Sequence, residues 1–356
     1  MRALVTGGAG FVGSHIVEAL VERGDTVTIL DNLNPRVHST DSPTFPGAVN
    51  FVRGDISSSM SLGRALEQLP DVVFHEAAVV GLGKGAVDAE HYADTNITGT
   101  IRLMDAISRL RIRPRVILAS TMALYGEGAY VCEMCHIPRD GRRELEDLKK
   151  GIWEPRCDLC GSELQPTPVN ETQPARPDSV YAITKLCQEQ LSISIGKQYS
   201  IPVVALRYHN IYGPRMPRDT PYAGVASIFK SRLLAAAPPL VFEDGGQLRD
   251  FIHVKDIVQA NLLAADGPEG DVAYEAFNVG TGTPHSILDF AKKLADVLAP
   301  EITPELSGNF RLGDVRHVFA SIAKIKRLGF TPKVSFDEGV AEFAREPIRN
   351  PPMVAS

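Results

Sequence analysis

Three side chains of this 356-residue chain could together move a proton to or from an alcohol: Thr121, Tyr181 and Lys185. Tyr181 and Lys185 stand four apart in Asp178-Ser179-Val180-Tyr181-Ala182-Ile183-Thr184-Lys185, at what reads as the start of a helix, and so share one face. A phenol of ordinary pKa ~10 is a poor base at neutral pH, but a neighbouring ammonium, aided by the positive ring of an oxidised cofactor, favours the phenolate. A tyrosinate could then take a proton from a sugar or alcohol hydroxyl, while Thr121 hydrogen-bonds the same hydroxyl and holds it in line. Tyr/Lys pairs at this spacing are common in any proteome, and only the company of this one makes it informative.

A second constellation binds rather than reacts. Cys132-x-x-Cys135 and Cys157-x-x-Cys160 account for four of the five cysteines, with 21 residues between the pairs. Two such knuckles make a four-thiolate tetrahedral site at a spacing near the zinc-ribbon range; free thiols or a redox pair are the alternatives. Protein would fill all four positions, which makes the zinc structural. The segment from Arg139 to Lys150 is highly charged with almost no core of its own, so metal would supply much of this lobe's folding free energy. Because the lobe hangs from the same strand that delivers Thr121, it is expected to lie over the mouth of the site. Cys187 reads as a small core residue.

These groups need elements to deliver them. Met1 to Thr6 reads as a buried parallel strand, Gly7-Gly8-Ala9-Gly10-Phe11-Val12-Gly13 as a tight turn, and Ser14 to Leu20 as an amphipathic helix. Glycines at 7, 10 and 13 let the backbone approach a pyrophosphate and let the helix pack closely on the strand, while the helix N-terminus offers N–H groups to the phosphate charge. The alternative is a glycine-rich loop that binds nothing. Against it, the second strand ends in Asp31, 18 residues past Gly13, near the spacing at which a carboxylate receives ribose hydroxyls.

Short apolar runs at 2–6, 26–30, 49–52, 71–75 and 115–120 alternate with helical stretches, the pattern of a doubly wound parallel sheet. Asp55, after the third run, could reach the adenine side of a dinucleotide, although an Asp there is more often a helix cap. Ala77 and Ala78 leave room for a cofactor against the sheet. His75, ending an apolar strand, reads as a satisfied structural histidine. A helix from Glu90 to Arg109 carries Asn96 and Gly99, which lower helix propensity and point to a local distortion.

Bulk properties describe an ordinary globular chain, 44% hydrophobic and 22% charged. A net charge of −6 gives no support to nucleic-acid binding, while an anionic small substrate needs only a few well-placed arginines. No apolar run approaches the length of a membrane span and no signal-peptide pattern precedes the first strand, so the expectation is a cytoplasmic protein without a membrane partner.

Thr6 to Gly13, Asp31-Asn32, Asp55-Ile56, Asn96, Ser120 to Gly126 and Tyr181 to Lys185 occur in the order of the extended short-chain dehydrogenase/reductase family. Over nearly its whole length the sequence resembles the NAD-dependent sugar-nucleotide epimerases and dehydratases of that family. The resemblance implies bound NAD, a catalytic triad of Thr121, Tyr181 and Lys185, Phe11 and Val12 at the dinucleotide loop, and Asn96 on the cofactor side. Leu206 to Arg215 resembles the segment LRYFNVYGP, in which the Asn, here Asn210, contacts the substrate diphosphate. His209 replaces the usual Phe and is expected to be a pocket wall near the nicotinamide. Pro239 to Val254 resembles the strand that holds the base, here Val241 and Phe242, and supplies one diphosphate arginine, Arg249; Arg316 resembles the second.

The implied architecture is α/β. A Rossmann-type doubly wound parallel sheet spans 1–126 and 173–205, with some later segments returning to it, and a smaller C-terminal α/β nucleotide-sugar domain covers mainly 206–356. A zinc-ribbon-like lobe, 127–172, is inserted between them. Family members usually dimerise through the helices holding Asn96 and Tyr181, and the apolar spacing of Ile101, Leu103, Met104 and Ile107 fits that use or a core face.

Thr121 is followed by Met122-Ala123, where the family's dehydratases carry Asp-Glu and its 3,5-epimerases a Cys in the same loop. Neither Met nor Ala moves a proton, which leaves oxidation at C4, rotation of the 4-keto sugar and hydride return: a 4-epimerase. Asp31 to His38, Gly126 to Cys132, Trp153 to Cys157 and Pro221 to Phe229 resemble a subgroup described as dTDP-L-rhamnose 4-epimerases, which interconvert dTDP-L-rhamnose and dTDP-6-deoxy-L-talose. A 4-ketohexose reductase would need the same triad, and a non-enzymatic NAD sensor would not require it intact.

Overall fold

The structure, a computed structural model, describes residues 1–347 apart from 36, 39–42, 46, 82–88, 140, 218–223 and 312. Arg36, Asp140 and 221–223, which belong to segments quoted above, lie outside the described residues.

Seven parallel strands form the central sheet: β1 (Arg2–Thr6), β2 (Thr26–Asp31), β3 (Asn50–Arg53), β4 (Val72–His75), β5 (Arg115–Thr121), β6 (Val203–Tyr208) and β7 (Glu275–Val279). Their order is β7-β6-β5-β4-β1-β2-β3. The strands read as continuous apolar runs because both faces are covered. Along β1, Ala3 and Val5 pack under α1 (Phe11–Glu22), whereas Leu4 packs on the other face with Leu103, Met104 and Ile107 of α2 (Gly99–Arg109). Those three side chains of α2 are therefore core, and Ile101 alone of the expected set is exposed.

The chain order reverses between β1 and β4, and a ligand crevice belongs at the carboxyl ends there. All five strands expected from the first third of the sequence are present. A domain boundary at 205/206, however, would cut β6, which pairs with β5 from Val116↔Val203 to Thr121↔Tyr208.

Two helices complete the positioning frame. Between Ala89 and Arg109 the expected distortion is a π-helical turn, Ala93–Thr98, closed by Thr100 Oγ1 donating to the Asn96 carbonyl at 2.7 Å. Glycine is needed at 99, since a Cβ there would meet Ile56 Cγ2 at 2.6 Å. The helix α3 (Val180–Tyr199) starts at Ser179, whose side chain accepts from Ala182 N at 3.1 Å. Its Glu189 is buried and paired with Arg207 of β6 (2.6 Å), and Ser120 Oγ of β5 donates to the same carboxylate at 2.6 Å.

The second domain has its own aromatic core, in which Tyr212, Phe251, Phe290 and Phe343 pack with α4 (Val225–Leu234), α6 (Ile287–Leu298) and α7 (Phe336–Arg345). Before it, α5 (Val254–Asp266) returns to the sheet and packs beside α1. In the inserted lobe, strand Ala129–Cys132 lies between Ile137–Arg139 and Gln165–Thr167 in an antiparallel sheet. Its own buried cluster is Tyr130, Cys132, Cys157 and Leu164. Among the described residues no helix is long and apolar enough to cross a membrane.

His75 is fully packed, with Nδ1 2.8 Å from Thr6 Oγ1 and Nε2 2.9 Å from Thr100 Oγ1, as a structural histidine should be. Burial drives its pKa from 6.5 down to about 3, and takes His209 and His253 to about 4. Between about pH 6.5 and about pH 4 the unfolded chain protonates these three histidines while the folded one resists, so stability falls as pH falls through that window. Glu76, pushed by burial up to about 7, opposes one of them over pH 7 to 4.5. The expected outcome is a net loss of stability on going from pH 7 to pH 5, on the order of 1.4 kcal/mol per pH unit for each unbalanced proton. Urea unfolding at pH 7 and pH 5 measures it; equal stabilities would contradict these burial effects.

Candidate active site

At the carboxyl ends of β1, β4 and β5 lies a cavity of about 880 Å³ that runs from the glycine loop to the second domain. Of the cofactor and substrate residues expected from sequence, only Asn96, Val241 and Arg316 fall outside its lining.

The glycine loop is built for close approach. Gly7 has φ +68°, and a Cβ on it would meet Ala77 N at 2.8 Å; a Cβ on Gly13 would meet Gly7 O at 2.3 Å. The loop closes through Gly10 N donating to Gly7 O at 2.9 Å, and α1 begins at once with Gly10 as its N-cap. Asp31, 6% exposed at the end of β2, accepts from Ala9 N (3.0 Å) and Leu33 N (2.9 Å), so its carboxylate is fixed at the loop. Asp55 is not the helix cap. Ser58 caps the next helix, while Asp55 accepts from Ser57 N and Asn32 Nδ2, both at 2.8 Å. Burial would raise the Asp55 carboxyl, but these bonds hold it below the usual value.

The three proton-handling residues all line this cavity. Thr121 ends β5 and Tyr181 opens α3, with Lys185 one turn on. Burial pushes the Tyr181 phenol up to about 12, against the pull of its hydrogen bond with Thr121. Lys185 is pushed down to about 8 by burial, opposed by the carboxylates of Glu76 and Glu189, and its ammonium donates to Gln188 Oε1. With Lys185 turned to Gln188, burial favours the protonated form of Tyr181, against which the positive ring of an oxidised cofactor would work.

Three expected ligands do other work. Asn96 is wholly buried; its Oδ1 accepts from Val79 N (2.8 Å) and its Nδ2 donates to Val79 O (3.0 Å) and Thr184 Oγ1 (3.1 Å). It holds the segment that follows β4 against α3 instead of touching the cavity. Val241 points into the second core because side chains alternate along a strand, and its neighbours Leu240 and Phe242 face the cavity. Arg316, 1% exposed, is taken by Glu154 (3.0 Å), Glu243 (2.9 Å) and Asp244 (2.7 Å). Arg249 does line the cavity, held by the carbonyls of Leu248 (2.8 Å) and Arg316 (2.9 Å).

The sequence reading passed over Glu76, Gln247 and Arg311, all at the cavity wall. Glu76 accepts from Tyr208 OH at 2.9 Å, and its signal was a carboxylate directly after a fully buried parallel strand. Arg311 sits 4.5 Å from the centroid of the Phe242 ring, a cation–π pair that sequence separation hides. Several polar atoms along the lining are buried without a hydrogen-bond partner: both ring nitrogens of His209, Asn210 Oδ1 and Gln247 Oε1. Buried atoms of this kind are normally satisfied, so a polar ligand fits here. A glycine cradle, a fixed acidic residue and unmatched donors and acceptors together suit a dinucleotide and a sugar nucleotide.

The four lobe cysteines are brought together as expected. Their sulfurs all lie within 4.8 Å of one another, with Cys132–Cys160 at 3.5 Å and Cys135–Cys157 at 3.9 Å. Tetrahedral zinc with Zn–S bonds of ~2.3 Å sets sulfurs roughly 3.8 Å apart. Each knuckle turns on a left-handed residue after its second cysteine, His136 (φ 54°) and Gly161 (φ 73°). Cys187 is half-buried.

Fold and site define a nucleotide-binding α/β enzyme with a Thr/Tyr/Lys centre, and the comparisons are specific. Residues 3–145 and 159–280 match the NAD dependent epimerase/dehydratase family, and the chain belongs to it. The match is interrupted inside the cysteine lobe. Over 351 residues the chain is 34% identical to the dTDP-L-rhamnose 4-epimerase of Burkholderia thailandensis, covering 96% of this chain and 93% of that protein. It is 30% identical to the UDP-glucose 4-epimerase of Mycolicibacterium smegmatis, covering 96% of this chain and 97% of the relative. Among solved structures, Thermotoga maritima UDP-glucose 4-epimerase with UDP-glucose superposes with a TM-score of 0.78 at 30% identity, covering 97% of each chain. The Thermus thermophilus UDP-glucose 4-epimerase complex with NAD gives 0.74 at 30% identity, over 97% of this chain and 98% of that one.

Replacing His209 by Phe removes two unsatisfied buried nitrogens. The variant should unfold at higher urea, by about 1 kcal/mol, while binding NAD or the sugar nucleotide more weakly. Unfolding curves and fluorescence titrations check the two halves.

Proposed function

We propose that this NAD-dependent epimerase is a nucleotide-sugar 4-epimerase that inverts C4 by transient oxidation and hydride return. The observation that carries the reading is the convergence of Thr121, Tyr181 and Lys185 in a cavity beside the glycine loop, with Met122 and Ala123 where an eliminating enzyme would need an acid and a base. Bound NAD would accept the C4 hydride and give it back to the opposite face.

The chain's own groups do the rest. Tyr181 Oη takes the proton of the C4 hydroxyl and later returns it; Thr121 Oγ1 holds that oxygen in line. Since burial keeps the phenol near 12, ionisation at neutral pH requires positive charge close by, which Lys185 supplies when it turns from Gln188 toward the ligand. Gly7, Gly10 and Gly13 receive the pyrophosphate, and Asp31 receives ribose hydroxyls and repels a 2′-phosphate, which favours NAD over NADP. Phe242 with Arg311 forms a stacking wall for a base, and Arg249 faces the diphosphate.

As the particular substrate we favour a dTDP-6-deoxyhexose, the pair dTDP-L-rhamnose and dTDP-6-deoxy-L-talose. The similarity to the Burkholderia enzyme supports it, and so do the apolar side chains of Val79, Val80 and Met122 in the lining, which suit a C6 methyl. Zinc in the cysteine lobe belongs to the same reading, as does a cytoplasmic homodimer through α2 and α3, where Ile101 (38%) and Ile183 (48%) are exposed.

Changing Tyr181 to Phe should lower kcat by about 10²–10⁴-fold with NAD still bound. Proton NMR of C4 in a panel of sugar nucleotides reads turnover, and nicotinamide absorbance should show no net change in the wild type. Stoichiometric nicotinamide consumption would make the protein a 4-ketoreductase instead. Metal analysis of the purified protein should find about one zinc per chain; none would remove zinc from this account.

A further inference from the structure

The cysteine lobe is fastened to the second domain by buried charge. Glu154, three residues before Cys157, accepts from Arg316 Nε at 3.0 Å and meets His317 Nε2 at 2.7 Å. Arg143, also on the lobe and nearly inaccessible, donates to Glu243 Oε1 at 2.7 Å and to the Asp314 carbonyl. At the lobe's stem, Glu127 accepts from Arg316 N (2.8 Å), and Tyr130 OH accepts from His317 N (3.1 Å).

The same stretch, gripped from outside by the lobe, is the cavity wall on its inner side. Arg311, Asp314 and Val315 line the cavity. The carbonyls of Val315 and Arg316 hold the guanidinium of Arg249, and strand His317–Val318 pairs in parallel with Leu248–Arg249. The chain joins Cys157 to Glu154 three residues away, and contact runs on from Glu154 through Arg316 to Arg249. Arg316 is consumed as a fastener by three carboxylates, which explains why it does not face the ligand.

The lobe cannot hold this grip through a core of its own, since its buried cluster is two cysteines with Tyr130 and Leu164. Four thiolates closed on a metal would replace that missing core.

We propose that the metal-loaded lobe is a positioning device for the diphosphate end of the substrate: Glu154 and Arg143 hold the wall at Asp314 to Arg316, and through it Arg249, in the binding geometry, so that metal occupancy sets sugar-nucleotide affinity without entering the chemistry. The metal half rests on the zinc reading above; the clamp half rests on the charge contacts alone.

Glu154→Gln in the full-length, metal-loaded protein keeps the shape and removes the charge that holds Arg316 and His317. The expected result is a rise of about tenfold in KM and in the Kd for the sugar nucleotide. The value of kcat, bound NAD and metal content should be unchanged. Arg143→Met, which cuts the other arm, should give the same split and decides the matter if Glu154→Gln folds poorly. Chelation of the wild type should reproduce the KM rise, and added zinc should reverse it. Unchanged KM in both variants overturns the clamp even if zinc is present, and so does a loss of kcat equal to that of kcat/KM. If the purified chain carries no metal while both variants still weaken substrate binding, the clamp stands and its metal control falls.

Discussion

The ion pair between Glu189 and Arg207, closed off from water, is the contact on which the site's geometry depends. Arg207 reaches Glu189 with Nη2 at 2.6 Å and Tyr125 OH with Nη1 at 2.8 Å, and Tyr125 OH donates to Asn278 Oδ1 at 2.6 Å. One network thus joins α3, β5, β6 and β7, and its members stand next to the working residues: Ser120 before Thr121, Arg207 two before His209, Glu189 one turn past Lys185. A buried pair is weak evidence for net stability, because desolvation offsets much of the attraction. Its value here is register, since any sliding of α3 on the sheet would leave a charge unpaired in a dry interior.

That register sets up a chemical tension inside the cavity. Burial makes both proton-handling groups want to be neutral, pushing Tyr181 up to about 12 and Lys185 down to about 8. Lys185, at about 8, is still an ammonium at neutral pH, and positive charge brought closer to the phenol favours its ionised form. The unmatched atoms of His209, Asn210 and Gln247 belong to the same arrangement, in which polar atoms are left unsatisfied where a ligand is to supply their partners.

The inserted lobe solves a separate problem by similar means. Its own buried cluster is small, with four clustered sulfurs at one end and ion pairs to the second domain at the other. Both devices are directional where hydrophobic burial is not, and that suits an element whose position matters more than its mass.

The sequence by itself determined what is local. Strand, turn and helix around Gly7 to Gly13, the five strands of the first third, the distortion near Asn96 and the pairing of cysteines all follow from spacing and backbone preference, which act over a few residues. Thr121, Tyr181 and Lys185, singled out by their motifs, all line the cavity. What only the tertiary structure decided is which of two competing partners a charged or polar group takes. Arg316 looked like a phosphate ligand until three carboxylates from distant segments surrounded it. Asn96 looked like a cofactor contact until Val79 used both ends of its amide, and the Lys185 ammonium donates to Gln188, a partner that its spacing from Tyr181 did not reveal. Electrostatic and hydrogen-bond partners are set by distance and dielectric in three dimensions, and neither quantity is written in the order of the residues.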